Sequence, residues 1–211
     1  MDLTTSTRHK LVFIIGAGGH GQVVCSIIEE QYKMVTFVDE NPTDSSVVQQ
    51  DVFLNNLKDY TNCDIFLGVG SNLARANLYK QLRLLNANVG RCISENAIIS
   101  SDAKIGAGPV ICPGVVVMRG ADLGNNVILN TSCNVDHDCI IGDHVHISPN
   151  ATLCGTVAVG EGTHVGAGAI VIPNKKIGKW ATIGAGAVVI TDIPDKAVVV
   201  GNPAKIIKYN E

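Results

Sequence analysis

The sequence predicts two architectures joined in one chain: a small α/β part over residues 1–96 and a solenoid of short strands and turns over residues 97–211. Three observations lead there. Seven of the nine aromatic residues and 18 of the 35 charged ones precede residue 97, while residues 97–190 hold one aromatic, Trp180, and 11 charges. Residues 10–40 read as strand, glycine-rich turn, helix and strand. From Ile99 onward an aliphatic residue returns at every sixth position. No Pro/Gly/Ser linker marks the change near Asn96, so the two parts are expected to pack directly on each other.

The 211 residues are 46% apolar and 17% charged, with a net charge of -3. This balance excludes a disordered chain, and the lack of a basic excess argues against a nucleic-acid partner. No apolar run reaches the roughly 18 residues of a membrane span, and the N-terminus lacks the regions of a secretion signal, so no membrane partner is expected. Seven cysteines, an odd number with no CxxC pair, suit reduced thiols in a cytoplasm better than a disulfide framework.

The first part begins with a buried strand over 10–15. Gly16-Ala17-Gly18-Gly19-His20-Gly21 follows, then a helix from Gln22 to about Gln31 and a strand from Met34 to Val38 that ends at Asp39-Glu40. This is a Rossmann-like βαβ opening with a literal GxGxxG and an acid after the second strand. Glycines let a backbone approach phosphates, and a helix N-terminus favours negative charge. The remaining elements are a strand over 64–69, a helix over 72–86 and a strand over 89–93. Four or five strands are fewer than a full dinucleotide fold has, so a nucleotide sugar fits better than NAD; a purely structural glycine turn is the plain alternative. Gly18, Gly19 and His20 are the candidate phosphate or sugar contacts, and Asp39 and Glu40 the candidate acceptors for ribose or base. A solvated turn is the competing reading for His20, and a charged loop for Asp39.

In the second part the six-step column runs from Ile99 through Ile147 to Val189, sixteen residues, all aliphatic. Two places before each lies a column of mostly small residues, Cys133 and Cys139 among them, and Gly often follows the aliphatic, as at 106, 124, 142, 160, 166, 178 and 184. A period of six matches neither a helix nor a lone strand; it matches a solenoid. The aliphatic points into a narrow prism, the small residue fills its corner and Gly permits the turn. Cys133 and Cys139 are therefore corner fillers, and Lys175 departs from the column at an irregular corner.

These repeats resemble the hexapeptide-repeat acyltransferases, whose fold is a left-handed parallel β-helix with three hexads per coil; sixteen hexads imply about five coils. Gly16–Gly21, Phe37-Val38-Asp39, Gly68–Asn72 with Arg75, Asn130-Thr131-Ser132, Val135–Cys139, His146-Ile147-Ser148 and Gly201–Lys205 extend the likeness over nearly the whole chain. Together they resemble the hexapeptide-repeat sugar O-/N-acyltransferases, the nucleotide-linked amino-sugar N-acetyltransferases of the bacillosamine and perosamine type above all. The resemblance implies a cytoplasmic homotrimer with active sites between subunits. It implies acetyl-CoA as co-substrate and an N-acetyl transfer to the amine of a nucleotide-linked amino-deoxysugar, best matched by UDP-4-amino-4,6-dideoxy-N-acetylglucosamine. GDP-perosamine and sialic-acid-type O-acetylation are the alternatives.

Of six histidines, His9 lies in the N-terminal tail and His137 stands between Asp136 and Asp138. A carboxylate beside an imidazole raises its basicity, and two places past the inward Val135 the ring should project outward. The resemblance makes His137 the general base and Asp138 its partner. It gives Asn130 a sugar contact, His146 an acetyl-CoA contact, Gly155 an oxyanion-stabilising N–H, Ala167 and Ala185 the pantetheine arm and Lys205 a CoA phosphate. His137 and His146 should lie on different sides of one subunit. His144 and His164 read as ordinary outward residues, an amide ladder competes with the sugar role of Asn130, and no cluster has metal-ligand spacing. A non-catalytic nucleotide-sugar-binding or assembly protein is the reading of another class; the intact Asp136-His137-Asp138 argues against it.

Overall fold

The computed structural model describes residues 10–29, 31, 32, 34–60 and 62–211; His9 lies outside the described residues. The first part is a four-stranded parallel sheet in the order β3-β2-β1-β4. Its elements are β1 (Leu11–Ile15), α1 (Gly19–Ile28), β2 (Thr36–Asp39), β3 (Val48–Gln49), α2 (Gln50–Asn55), a short turn of helix at Leu57–Asp59, β4 (Cys63–Leu67) and α3 (Asn72–Leu84). Helix α1 begins three residues earlier than the apolar pattern predicts, at the glycine turn itself, because Gly18 in extended conformation is its N-cap. The expected strand over 89–93 divides. Val89 makes one bridge to Ile65, while Cys92–Ile93 pairs with Val110–Ile111 and so opens the solenoid.

The glycine turn separates into two kinds of glycine. A Cβ on Gly21 would sit 1.8 Å from the Gly16 carbonyl oxygen, and one on Gly16, where φ is +106°, would sit 2.7 Å from the Gly68 carbonyl oxygen. These two are needed for close packing of turn, helix and β4. Gly18 and Gly19 have open space where a Cβ would stand.

The second part is a parallel β-solenoid of about six turns, one more than the hexads predict. The extra length comes from Cys92–Ile93 before the period starts and Ala197–Val200 after it ends, both on the same face. That first face carries Val110–Ile111, Ile128–Leu129, His146–Ile147, His164–Val165 and Thr182–Ile183. The second face includes Asn134–Val135 and Thr152–Leu153, and the third Asp122–Leu123 and Ile140–Ile141. Partners across neighbouring coils are 18 residues apart, as in His146↔His164.

The inward aliphatics are buried from Ile111 to Val189, and Cys133 and Cys139 are fully buried among them. Removing a whole Leu or Ile from water contributes about 1.5–3 kcal/mol, so aromatic bulk is not required here. From Gly108 to Gly186 every sixth residue adopts a left-handed conformation, including Asn126, Ser132, Asp138, His144 and Trp180. Lys175 keeps the ladder regular, its carbonyl accepting from the Ala158 N–H. The irregular corner comes afterwards, where Ile177 bridges Ile193 sixteen residues on.

The two parts share one apolar core, in which Ile14, Val24 and Ile28 join Val110 and Ile128. Arg75 of α3 pins them together. It is fully buried, and its guanidinium donates to the carbonyls of Val69, Gly70, Asn126 and His144. Burial lowers its pKa to about 10. Asn72 adds hydrogen bonds to the carbonyls of Gly162 and Thr163.

Candidate active site

His137 stands at the corner between the second and third faces, just after Asn134–Val135. Its side chain is 51% exposed and points away from the prism. Asp138 takes the left-handed turn position, with φ 57°, which short polar side chains tolerate. That geometry brings its Oδ2 to 2.9 Å from His137 Nδ1. Asp136 turns to the main chain instead, where its Oδ1 accepts the His137 backbone N–H at 2.7 Å. The ring partner is therefore Asp138. Hydrogen bonding to Asp138, with the charges of Asp136 and Asp138, holds the His137 pKa above the ordinary histidine value.

With Nδ1–H donated to Asp138, the Nε2 lone pair is free to take a proton. One coil on, Gly155 lies directly beneath the ring, and a Cβ there would stand 2.3 Å from His137 Nε2. The Gly155 N–H has no acceptor among the described residues. An imidazole with a free lone pair and a glycine with a vacant main-chain N–H are thus neighbours on successive coils.

A second cluster lies on the first face, beneath the glycine turn. His20 and His146 have ring centroids 6.3 Å apart, and His146 and His164 stack at 4.9 Å with 17° between their planes. Asn130 Nδ2 lies 3.2 Å from His146 Nε2, and its Oδ1 accepts the Thr131 N–H. Burial, then the Arg75 charge, lowers the His20 pKa to about 4; burial, then His164, lowers that of His146 to about 3. His20 Nε2 is buried without a hydrogen-bond partner. The structure thus brings His20 together with Asn130 and His146, both more than a hundred residues further along the chain, and opens Gly18 and Gly19 above them.

The acids after β2 are engaged. Asp39 Oδ2 accepts the Ala17 N–H at 2.7 Å and Oδ1 that of Asn41 at 3.0 Å, so Asp39 closes the glycine turn. Glu40 receives a long 3.4 Å bond from Gln50. Ala167 and Ala185 are exposed at successive coils of the corner between the first and second faces, where the Gly186 N–H donates to the Ala167 carbonyl. Lys205 is exposed at the start of the closing strand.

Two expectations are corrected. His144 and His164 occupy outward positions of the repeat, yet neither is an ordinary solvated residue, because the N-terminal part covers that side of the prism. His144 Nδ1 meets Asn126 Nδ2 at 2.8 Å and its ring packs edge-on to Tyr79. His164 Nε2 meets Ser148 Oγ at 2.7 Å. Burial lowers both pKa values. Sequence reasoning also assigns no role to Arg75; an arginine in a helix that packs on the prism, with no acid beside it, is its one signal. Among the described residues no group of three His, Cys, Asp or Glu side chains is placed to hold a metal, and no helix is long and apolar enough to cross a membrane.

Residues 11–82 match the PglD N-terminal domain, and residues 120–155 match the bacterial transferase hexapeptide (six repeats). Among solved structures, the acetyltransferase domain of PglB from Neisseria gonorrhoeae is 36% identical, with a TM-score of 0.89 over 94% of this chain and 100% of that one. It has also been solved with acetyl coenzyme A. A histidine-to-asparagine mutant of perosamine N-acetyltransferase from Caulobacter crescentus, in complex with CoA and GDP-perosamine, is 34% identical, with a TM-score of 0.90 over 94% of this chain and 97% of that one. WeeI from Acinetobacter baumannii is 26% identical, with a TM-score of 0.86 over 94% of this chain and 100% of that one. On identity and coverage, this chain belongs to the hexapeptide-repeat sugar acetyltransferases that carry a PglD-type N-terminal domain.

Proposed function

We propose that the protein is an acetyl-CoA-dependent N-acetyltransferase acting on the amine of a nucleotide-linked amino-deoxysugar. The observation that carries this reading is the His137–Asp138 pair, with its free Nε2 over Gly155, whose N–H has no acceptor among the described residues. The sugar amine attacks the thioester carbonyl, a C–N bond forms, and His137 Nε2 takes the proton. The Gly155 N–H donates to the tetrahedral oxyanion. Collapse breaks the C–S bond, and the CoA thiolate leaves with a proton returned by His137. A positioned base of this kind contributes about 10²–10⁴-fold, and holding both reactants together contributes more.

Gly18, Gly19 and His20 receive the diphosphate, with Asp39 and Glu40 beside the ribose or base and Asn130 on the sugar. His146, Ala167, Ala185 and Lys205 follow the CoA. His137 and the His20–Asn130–His146 cluster sit on different sides of one prism. A neighbouring copy in a homotrimer brings them together. All seven cysteines are free thiols, which suits a cytoplasmic enzyme.

The proposed substrate is UDP-4-amino-4,6-dideoxy-N-acetylglucosamine. GDP-perosamine is the second reading, favoured by the likeness to a perosamine N-acetyltransferase solved with that ligand. Release of free CoA thiol, measured with acetyl-CoA and a panel of UDP- and GDP-amino sugars, decides between them. Turnover with the UDP sugar supports the first reading, and turnover with GDP-perosamine alone moves the assignment to the second. Binding of a nucleotide sugar with no thiol release from any makes the protein a binding module. A monomeric mass in solution removes the shared site.

A further inference from the structure

The first face repeats one polar arrangement twice. Asn130 at a corner meets His146 of the next strand; eighteen residues later Ser148, at the equivalent corner, meets His164 of the strand after that. The two histidines are register partners, so their rings stack at the spacing of neighbouring strands. His146, Asn130 and His20 belong to the proposed function; Ser148 and His164 do not yet.

The second pair sits where an apolar side chain would be simpler. One coil below His146 the same column holds Ile128, fully buried, and below that Val110. An aliphatic residue at 164 would seal this face without a polar group to satisfy. Instead there is an imidazole whose Nε2 requires Ser148, and the Ser148 side chain is itself buried and requires His164. Burying a polar group costs free energy unless it is hydrogen-bonded, so the pair is self-satisfied but gains little over Ile or Val. What it does provide is a flat, fixed surface against one side of the His146 ring.

We infer that His164, locked by Ser148, is a positioning residue: it holds the His146 ring in the plane that aims Nε2 at the corner occupied by Asn130. Stacking fixes the ring plane and the Asn130 bond fixes its rotation. His20 faces the His146 ring from the glycine turn, and Asn130 meets it at the corner. The inference rests on the reading of His146 as an acetyl-CoA contact.

The test is steady-state kinetics on the full-length protein, varying acetyl-CoA and nucleotide sugar separately. His164→Ala should raise KM for acetyl-CoA roughly tenfold, a coupling typical of residues in contact, and leave KM for the nucleotide sugar unchanged. His164→Phe with Ser148→Ala, which keeps a flat ring and removes the hydroxyl it would orphan, should restore most of the loss. In the His146→Ala background, His164→Ala should have no further effect. If His146→Ala impairs acetyl-CoA use while His164→Ala does not, the inference fails and the reading of His146 stands. If the two losses multiply in the double variant, His164 acts independently and the inference fails. If His146→Ala is itself unimpaired, both the reading and the inference fall.

Discussion

Gly155→Ala isolates the proposed base without disturbing the fold. The added methyl would meet His137 at 2.3 Å from Nε2, 2.5 Å from Cε1 and 3.0 Å from Cδ2. Gly155 does not occupy the left-handed region, so its backbone accepts alanine. The imidazole is half exposed and can swing outward, withdrawing by roughly 1–2 Å to regain an ordinary contact. Folding stability should therefore change by no more than about 0.5 kcal/mol, a melting shift of about 2 °C or less. Nε2, however, leaves the place where it faces the amine, and a 1 Å misplacement costs about 10²-fold in rate. Continuous thiol release gives kcat, and a thermal melt gives stability. Turnover within about twofold of the parent would refute the stacked geometry or the base assignment, since a misplacement of this size cannot be so cheap. A large fall in melting temperature would refute the claim that His137 yields freely.

Asp138→Asn removes the main influence that raises the His137 pKa. The base must be unprotonated, so activity is lost below its pKa; the acid limb of the kcat/KM profile should move to lower pH, with a lower plateau, and an unmoved limb would count against the pair. Gly18→Ala has open space and should leave the melt unchanged while raising KM for the nucleotide sugar. Gly21→Ala places a methyl 1.8 Å from the Gly16 carbonyl oxygen and should destabilise by about 1–3 kcal/mol or more; equal behaviour of the two variants in melts would contradict the division of the turn. Arg75→Met leaves the carbonyls of Asn126 and His144 without their donor. At about 1–3 kcal/mol for each buried group left unpaired, the melt should fall by several degrees; an unchanged melt would show that the guanidinium is not the pin.

The prism is legible because its rule is local. A side chain at a six-residue step is inward whatever lies elsewhere, so the aliphatic column and the fates of Cys133 and Cys139 follow from sequence alone. The same rule says only that His144 and His164 point outward. Which of three outward faces another part of the chain covers is a long-range fact, and no spacing encodes it. Arg75 is silent for the same reason, since its acceptors are main-chain carbonyls that leave no mark in a sequence. The short β3 and α2 escape notice because two strand residues and six helical ones carry too little periodicity. His137 is betrayed by its flanking acids; the resemblance already favours Asp138 as its partner, and the structure supplies the reason, since Asp138 reaches the ring while Asp136 binds the His137 backbone.

The eighteen-residue register makes the prism an indexing screw. Adding a full eighteen residues between His137 and His146 would raise the second by one strand spacing and leave its azimuth unchanged. Adding or removing six would turn everything downstream by a third of a revolution, carrying His146 off the face that the glycine turn roofs. Chain length in this region is therefore tolerant in one unit and intolerant in any smaller one. The direction in which each chemical group faces is set by arithmetic along the backbone before any side chain makes a contact.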